Sequence, residues 1–358
     1  MTHRRMHPRL GTQLIAGFAA LAAIILSSGW LYYRNERQSA HEQARRHLAA
    51  LADSKSAQIA HWLAERHGDA KLAKSNTQLM PVLRQVTRGA AAGPGIASAQ
   101  AWLDGFIAAY QYEAATVFDT TGAPRASAGR IAPTPVLLRS FLDEVLRSPE
   151  SILQDLHTRT SGSIRFGIAV ALRERPGDPP FGVLLLEIDP AHFLFPAIRS
   201  WPVESATGEA VLVRREGPDA LVLNNTRHQD DAALRVRIHL QEAAVPATQA
   251  ALGHEATMSG TDYRGVPVFA VTRRISGSPW SLVAKIDESE VEQPLRDEAT
   301  LLAISLASFL AASALLAILL WRQRYASLLQ RRHLAEIERL RLQNSYDNLS
   351  RYANDRCV

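Results

Sequence analysis

The chain has 358 residues, 47% of them hydrophobic and 21% charged, a formal net charge of +5 and one cysteine. That length supports one or two ordinary hydrophobic cores, and the lone Cys357 excludes a fold stapled by intrachain disulfides. The basic residues form no stripe with interleaved aromatics, which excludes the usual nucleic-acid face.

In chain order, the first element is an uncharged apolar run at residues 14–33; a second closes the chain's bulk at 301–321. Each is long enough to cross a hydrocarbon core of roughly 30 Å as a helix. A cleaved signal peptide is the competing reading of the first run. Its 20 residues exceed the roughly 7 to 15 of a typical apolar signal segment, and no small-residue cleavage site follows. Flanking charge sets the orientation. Arg4, Arg5 and Arg9 precede the first run without an acid, and eight arginines against four acids follow the second. These ends carry +3 and +4, which leaves −2 for residues 34–300. Basic flanks stay cytoplasmic, so both termini are expected inside and the middle segment outside the cytoplasm.

After the first run, residues 34–75 contain no proline, and Gly68 is the first glycine. Ala44, Leu48, Leu51, Ile59, Trp62 and Ala73 recur close to a helical period. About 40 residues at 1.5 Å each would reach about 60 Å, which suits a stalk as well as a packed amphipathic helix. Short strands broken by turn residues follow. Residues 113–118 read as a strand, 119–122 as its turn and 124–128 as its return; 135–146 are helical in pattern, and 163–172 and 181–188 are apolar strands. The pattern recurs: 209–213 and 220–223 repeat the first hairpin, and 266–272 and 280–286 repeat the last. Phe181-Gly-Val-Leu-Leu-Leu-Glu-Ile-Asp189 lies 98 residues before Pro279-Trp-Ser-Leu-Val-Ala-Lys-Ile-Asp287. Two hairpins in one order at nearly one offset point to two copies of a module, with chance likeness of amphipathic hairpins as the alternative. Asp189 and Asp287, each closing a strand ahead of a helix, read as N-caps.

Residues that carry a family likeness are Lys55-Ser-Ala-Gln-Ile-Ala-His-Trp-Leu-Ala-Glu-Arg-His-Gly-Asp69, Leu194-Phe-Pro-Ala-Ile-Arg-Ser-Trp-Pro202, Leu212-Val-Arg-Arg-Glu-Gly217, Tyr263-Arg-Gly-Val-Pro267 and the strand from Pro279 to Asp287. Over roughly residues 34–300 the chain resembles the double Cache sensor region of bacterial transmembrane receptors. The likeness is nearest to PAS-containing sensor diguanylate cyclases and sensor histidine kinases. It implies an α+β fold: a long stalk helix and two tandem PAS-like (Cache) modules with antiparallel sheets, flanked by two transmembrane helices. The expected parts are a cytoplasmic N-terminus (1–13), a transmembrane helix (14–33), the stalk (34–80), a membrane-distal module (81–202) and a membrane-proximal module (203–298). A second transmembrane helix (299–321), a cytoplasmic signalling helix (322–345) and the start of a PAS domain (346–358) complete them. The signalling helix places Tyr325, Leu328, Leu329, Leu334, Ile337 and Leu340 at mostly helical spacing, as a short coiled coil or a solvated juxtamembrane helix would. Tyr346-Asp-Asn-Leu-Ser-Arg-Tyr-Ala-Asn-Asp355 resembles the opening of a PAS domain. The sequence stops before the output domain that the resemblance implies, so it is expected to be either a truncated chain, the favoured reading, or a fragment of a longer one.

No nucleophile elbow, Walker A loop or His-Glu-x-x-His motif is present, and the 12 histidines are scattered. No enzyme activity, catalytic residue, metal or cofactor is therefore expected. By the resemblance, the distal module holds a small molecule, here within about residues 110–188. Tyr110, Tyr112, Asp119, Arg125, Arg130 and Arg165 lie near strand ends in that stretch. They suit a carboxylate, because guanidinium binds it bidentately. The arginine-tryptophan-tyrosine-aspartate signature of amino-acid-binding double Caches is not recognisable. The function expected is that of a bacterial inner-membrane receptor, a parallel homodimer by resemblance, with residues 34–300 periplasmic. Ligand would shift a population between stalk packings. The alternatives are a membrane-anchored scaffold or vestigial receptor without ligand, and a membrane-anchored periplasmic hydrolase.

Overall fold

The computed structural model describes residues 9–89, 94–129, 138–159 and 161–354. Helix α1 (Arg9–Lys74) is followed by α2 (Leu79–Thr87) and α3 (Pro94–Tyr110). A first module continues through β1 (Ala114–Asp119), β2 (Pro124–Gly129), α4 (Leu138–Arg147), β3 (Ile152–Thr158), β4 (Ile164–Leu172) and β5 (Gly182–Ile188). After α5 (Leu194–Arg199), a second module contains β6 (Glu209–Glu216), β7 (Asp219–Val222), β8 (Arg237–His239), α6 (Pro246–Ala251), β9 (Thr257–Thr261), β10 (Pro267–Arg274) and β11 (Trp280–Asp287). Strand β11 leads directly into α7 (Glu288–Asn354). Contacts divide the chain into two units, Gln38–Glu292 and the paired ends Met1–Arg37 with Gln293–Val358. In the unit of paired ends, the parts of α1 and α7 that it contains carry the apolar stretches long enough to cross a membrane.

Within residues 38–292 the fold is α+β, built on two antiparallel sheets. Their strand orders are β2-β1-β5-β4-β3 and β8-β7-β6-β11-β10-β9. With β8 set aside, the second order is the first with each strand replaced by its counterpart, so the two modules share one topology. The register matches as well. Glu187 on β5 stands opposite Ala114 and Gly167, and Lys285 on β11 stands opposite Glu209 and Ala270.

One long helix backs both sheets. Leu48, Ala52, Ile59, Leu63, Ala70 and Ala73 recur on one face of α1 and are buried. They join Phe166, Ile168, Leu184 and Leu186 of the first sheet and Leu212, Phe269, Val271 and Leu282 of the second in one continuous core. Each fully buried Leu, Ile, Val or Phe among them is worth about 1.5–3 kcal/mol. That shared core is why contacts keep 38–292 together instead of separating the modules. The helix stops at Lys74, short of residue 80, where Ser75-Asn76-Thr77 interrupts it. Asn76 Oδ1 there accepts the backbone N–H groups of Gln78 and Leu79 at 3.2 Å and starts α2. Lys55 fastens α1 to the segment between the modules. Its buried ammonium donates to the carbonyl oxygens of Ala197 at 2.6 Å, Ile198 at 3.3 Å and Ser200. These carbonyls close α5, where positive charge is favoured; burial pulls the Lys55 pKa down.

Candidate ligand-binding site

Strands β4 and β5 are buried on both faces, so their even and odd positions meet different surroundings. Even positions pack on α1. Odd positions, with Phe118, meet α4: Leu142, Val145, Ala169, Ala171, Val183 and Leu185 form a separate apolar cluster. Further along the same face the side chains turn polar. Arg165 NH1 lies 2.9 Å from Asp189 Oδ2, its NH2 is 3.4 Å from Glu113 Oε1, and Arg159 NH2 donates to Glu187 Oε1 at 2.5 Å.

Two atoms on this face lack partners. Gln154 Oε1 on β3 and Arg165 Nε on β4 are buried and make no hydrogen bond. A buried polar group without a partner costs about 1–3 kcal/mol, so such groups call for an explanation. Gly167 lies between them on β4, where the neighbouring strand and side chains approach too closely for any side chain. A Cβ there would stand 2.8 Å from Leu186 O, 3.0 Å from Leu185 Cδ1 and 3.3 Å from Gln154 Oε1. The result is a face that is apolar towards α4 and offers one free acceptor and one free donor at its other end.

Of the six residues singled out from sequence, Arg165 is the one this face brings to those unpartnered atoms. Tyr112 turns the other way: its hydroxyl donates to Asp69 Oδ2 on α1 at 2.8 Å, and burial together with the Asp69 charge pushes its pKa up. Tyr110 packs its ring at a tilt against Phe106, centroids 4.6 Å apart, and its carbonyl accepts from Arg66 at 3.1 Å. Asp119 and Arg125 close the β1–β2 turn. Asp119 Oδ1 accepts from Thr121 N at 2.8 Å, Thr121 Oγ1 at 2.6 Å and Ala123 N at 3.0 Å, while Oδ2 pairs with Arg125 at 2.6 Å. Burial opposes ionisation of Asp119, but these bonds outweigh it and hold the pKa at about 2. Arg130 lies outside the described residues. Asp189 joins the face through Arg165, and its Oδ1 also accepts from Ala191 N at 2.9 Å as a turn cap does. Gln154 and Glu187 were not singled out from sequence: Gln154 lies in a stretch that was assigned no element, and Glu187 in one read only for strand pattern and repeat.

The corresponding face of the second module is closed. Lys285 Nζ lies 2.8 Å from Glu209 Oε2 and 2.6 Å from Asp262 Oδ2, and 4.8 Å above the ring of Tyr263. Lys285, Glu209 and Asp262 are all almost fully buried. Arg264 joins Asp262 at 2.7 Å to Asp287 at 2.5 Å. Burial works against the Asp262 charge, but Lys285 and Arg264 outweigh it and lower the pKa. Tyr263 donates to Glu209 Oε2 at 3.2 Å; burial, reinforced by that carboxylate, pushes its pKa up to about 12. The space left beside Lys285, Tyr263 and Val283 is a cavity of about 20 Å³, room for a single water.

No family model matches the chain, and no curated protein does. Solved structures do. The extracellular domain assigned to a histidine kinase, soHK1S-Z6, aligns with a TM-score of 0.52 at 12% identity, covering 72% of this chain and 98% of that one. A second such domain, rpHK1S-Z16, gives 0.50 at 15%, over 70% and 97%. The ligand-binding domain of the Campylobacter jejuni chemoreceptor Tlp3, in complex with L-norvaline, gives 0.51 at 9%, over 72% and 95%. The fold shared with them is that of Cache-type sensor domains.

Proposed function

We propose that the chain is a membrane-bound extracytoplasmic receptor that binds a small molecule on the distal face of its first module. One observation carries this: Gln154 Oε1 and Arg165 Nε stand buried and unpartnered on either side of Gly167. The fold supports it, since its neighbours include two extracellular domains assigned to histidine kinases and the ligand-binding domain of the chemoreceptor Tlp3, seen with L-norvaline. The ligand is read from charge. Glu113, Glu187 and Asp189 outnumber Arg159 and Arg165 on the face, so a simple carboxylate would meet a negative excess. A small amino-carboxylate fits better: its ammonium answers the acids, its carboxylate accepts from Arg165 Nε, and an ammonium N–H reaches Gln154 Oε1. An aliphatic side chain would then lie on Leu185, Val183 and Ala169.

The two apolar stretches span the inner membrane with both termini cytoplasmic and residues 34–300 periplasmic. The receptor works as a parallel homodimer. Signal passes along α7 to a cytoplasmic output domain, a PAS domain with a diguanylate cyclase or histidine kinase, and the receptor performs no chemistry on its ligand. The test is thermal unfolding of the full chain in detergent against amino acids, simple carboxylates, amines and purines. Stabilisation by amino-carboxylates, absent in R165M, is the expected result. A folded protein that no compound stabilises would favour a scaffold or vestigial receptor, and turnover of an ester or phosphate panel would favour a hydrolase.

A further inference from the structure

We infer that β3 is a relay, with Gln154 reading the ligand face and its chain neighbour Asp155 latching the proximal module. The inference rests on the distal face being the ligand site. Strand β3 is the edge of its sheet and bonds only to β4. Its register shifts between Gln154 and His157, which sets Asp155 and Leu156 together against Phe166. Such a bulge re-aims a side chain. Gln154 stays opposite Gly167, whereas Asp155 leaves the module altogether.

Its carboxylate grips the second sheet at two places. Oδ1 accepts from Trp280 Nε1 at 2.6 Å and from Leu156 N at 2.6 Å, and Oδ2 lies 2.7 Å from Arg214 NH1. Arg214 also donates to Leu156 O at 3.1 Å. Trp280 and Arg214 are register partners on β11 and β6, so Asp155 clamps one end of a strand pair. The indole is buried, and its ring meets Phe166 edge-on at 5.6 Å. Bonds to a charged acceptor are about twice as strong as neutral ones, which makes this the firmest polar tie between the sheets. At its other end β11 becomes α7. Consecutive strand residues lie only about 3.3 Å apart. A ligand that draws on Gln154 Oε1 therefore pulls on the backbone holding the latch. An edge strand with a single ladder and a bulge is the part of the sheet that yields at least cost.

The modules are also joined through the α1 core and the Lys55 clamp, and the experiment separates these routes. Hydrogen–deuterium exchange is followed in the full chain in lipid nanodiscs, with Q154W as the perturbation, so that no ligand is required. Q154W is expected to change exchange in β3 and at the Trp280 and Arg214 ends of β11 and β6. In the D155N background the change in β3 should persist and the change in β6 and β11 should disappear. D155N alone should raise exchange at those ends about tenfold, as loss of one bond to a charged group predicts. A Q154W effect that reaches β6 and β11 equally with D155N present, or never reaches them, overturns the relay. If D155N fails to fold, R214K and W280F cut the latch from the other side and give the same two outcomes. L-norvaline added to the wild type reads the ligand site separately: its protection of β3–β5, or lack of it, bears on the proposed function and leaves the Q154W comparison intact.

Discussion

Two sheets of one topology end in opposite states. In the second module the register place on β11 is held by Lys285, whose ammonium sits between Glu209 and Asp262 over the Tyr263 ring. In the first module the matching place on β5 is Glu187, an acid, and Gln154 and Arg165 beside it keep unpartnered atoms. The second module supplies its own lysine and seals itself. On the first, Arg159 pairs with Glu187 and Arg165 with Glu113 and Asp189, so three acids face two guanidiniums and no lysine. On the proposed function, that one register position is a main difference between the sealed module and the binding one.

Breaking the seal should give the largest effect. K285M leaves two carboxylates in a nearly dry site, and losing one member of a buried ion group costs about 3–5 kcal/mol. At about 2–4 °C per kcal/mol for a unit of this size, the melting temperature should fall by about 10 °C. K285M combined with E209Q and D262N should recover most of that loss. A stable K285M would show that the cluster seals nothing. On the distal face the same logic runs in reverse. R165M should cost less stability than K285M, because Glu113 and Asp189 both reach solvent, yet it should abolish stabilisation by ligand. That stabilisation is worth about 2.7 kcal/mol at a hundredfold excess over Kd and is read as a thermal shift.

Smaller effects sharpen the picture. G167A puts a methyl group 2.8 Å from Leu186 O and 3.3 Å from Gln154 Oε1. Overpacking of this kind costs about 1 kcal/mol or more, and binding measured by calorimetry should weaken more than stability does. The smallest effect concerns Asp119, whose folded pKa of about 2 lies below an unfolded value of about 3.9. Its contribution is complete above the unfolded value and is lost as pH falls through about 2. The stability gap between wild type and D119N should therefore be constant above about pH 4 and shrink below it, in acid-titration melts.

Much of the fold was legible because central strands buried on both faces read as apolar runs: β1, β4, β5, β6, β10 and β11 stand where the pattern placed them, within a few residues. The repeat was legible for the same reason. Strand β3 was not, since its bulge places Gln154, Asp155 and His157 out of alternation, and neither α3 nor β9 carried a periodic signal strong enough to mark it. On the proposed face, Arg165 stood out in the sequence as a charge at the mouth of an apolar strand. Tyr110 and Tyr112 drew attention for lying near a strand end, but no local pattern shows that Arg66 and Asp69, more than 40 residues earlier on α1, bind them. Lys285 did carry a signal: a lysine inside a doubly buried strand must find acids. Which acids it finds depends on register, which a lone sequence does not print.

The central claim is the proposal that the face of the first module binds and that of the second is sealed. Its most direct test is hydrogen–deuterium exchange of the full chain with and without a stabilising amino-carboxylate at saturation. Protection centred on β3, β4 and β5, with the Lys285 strand β11 affected only near Trp280, is the predicted result. Protection centred on β9, β10 and the Lys285 end of β11 would contradict it and move the binding site to the proximal module.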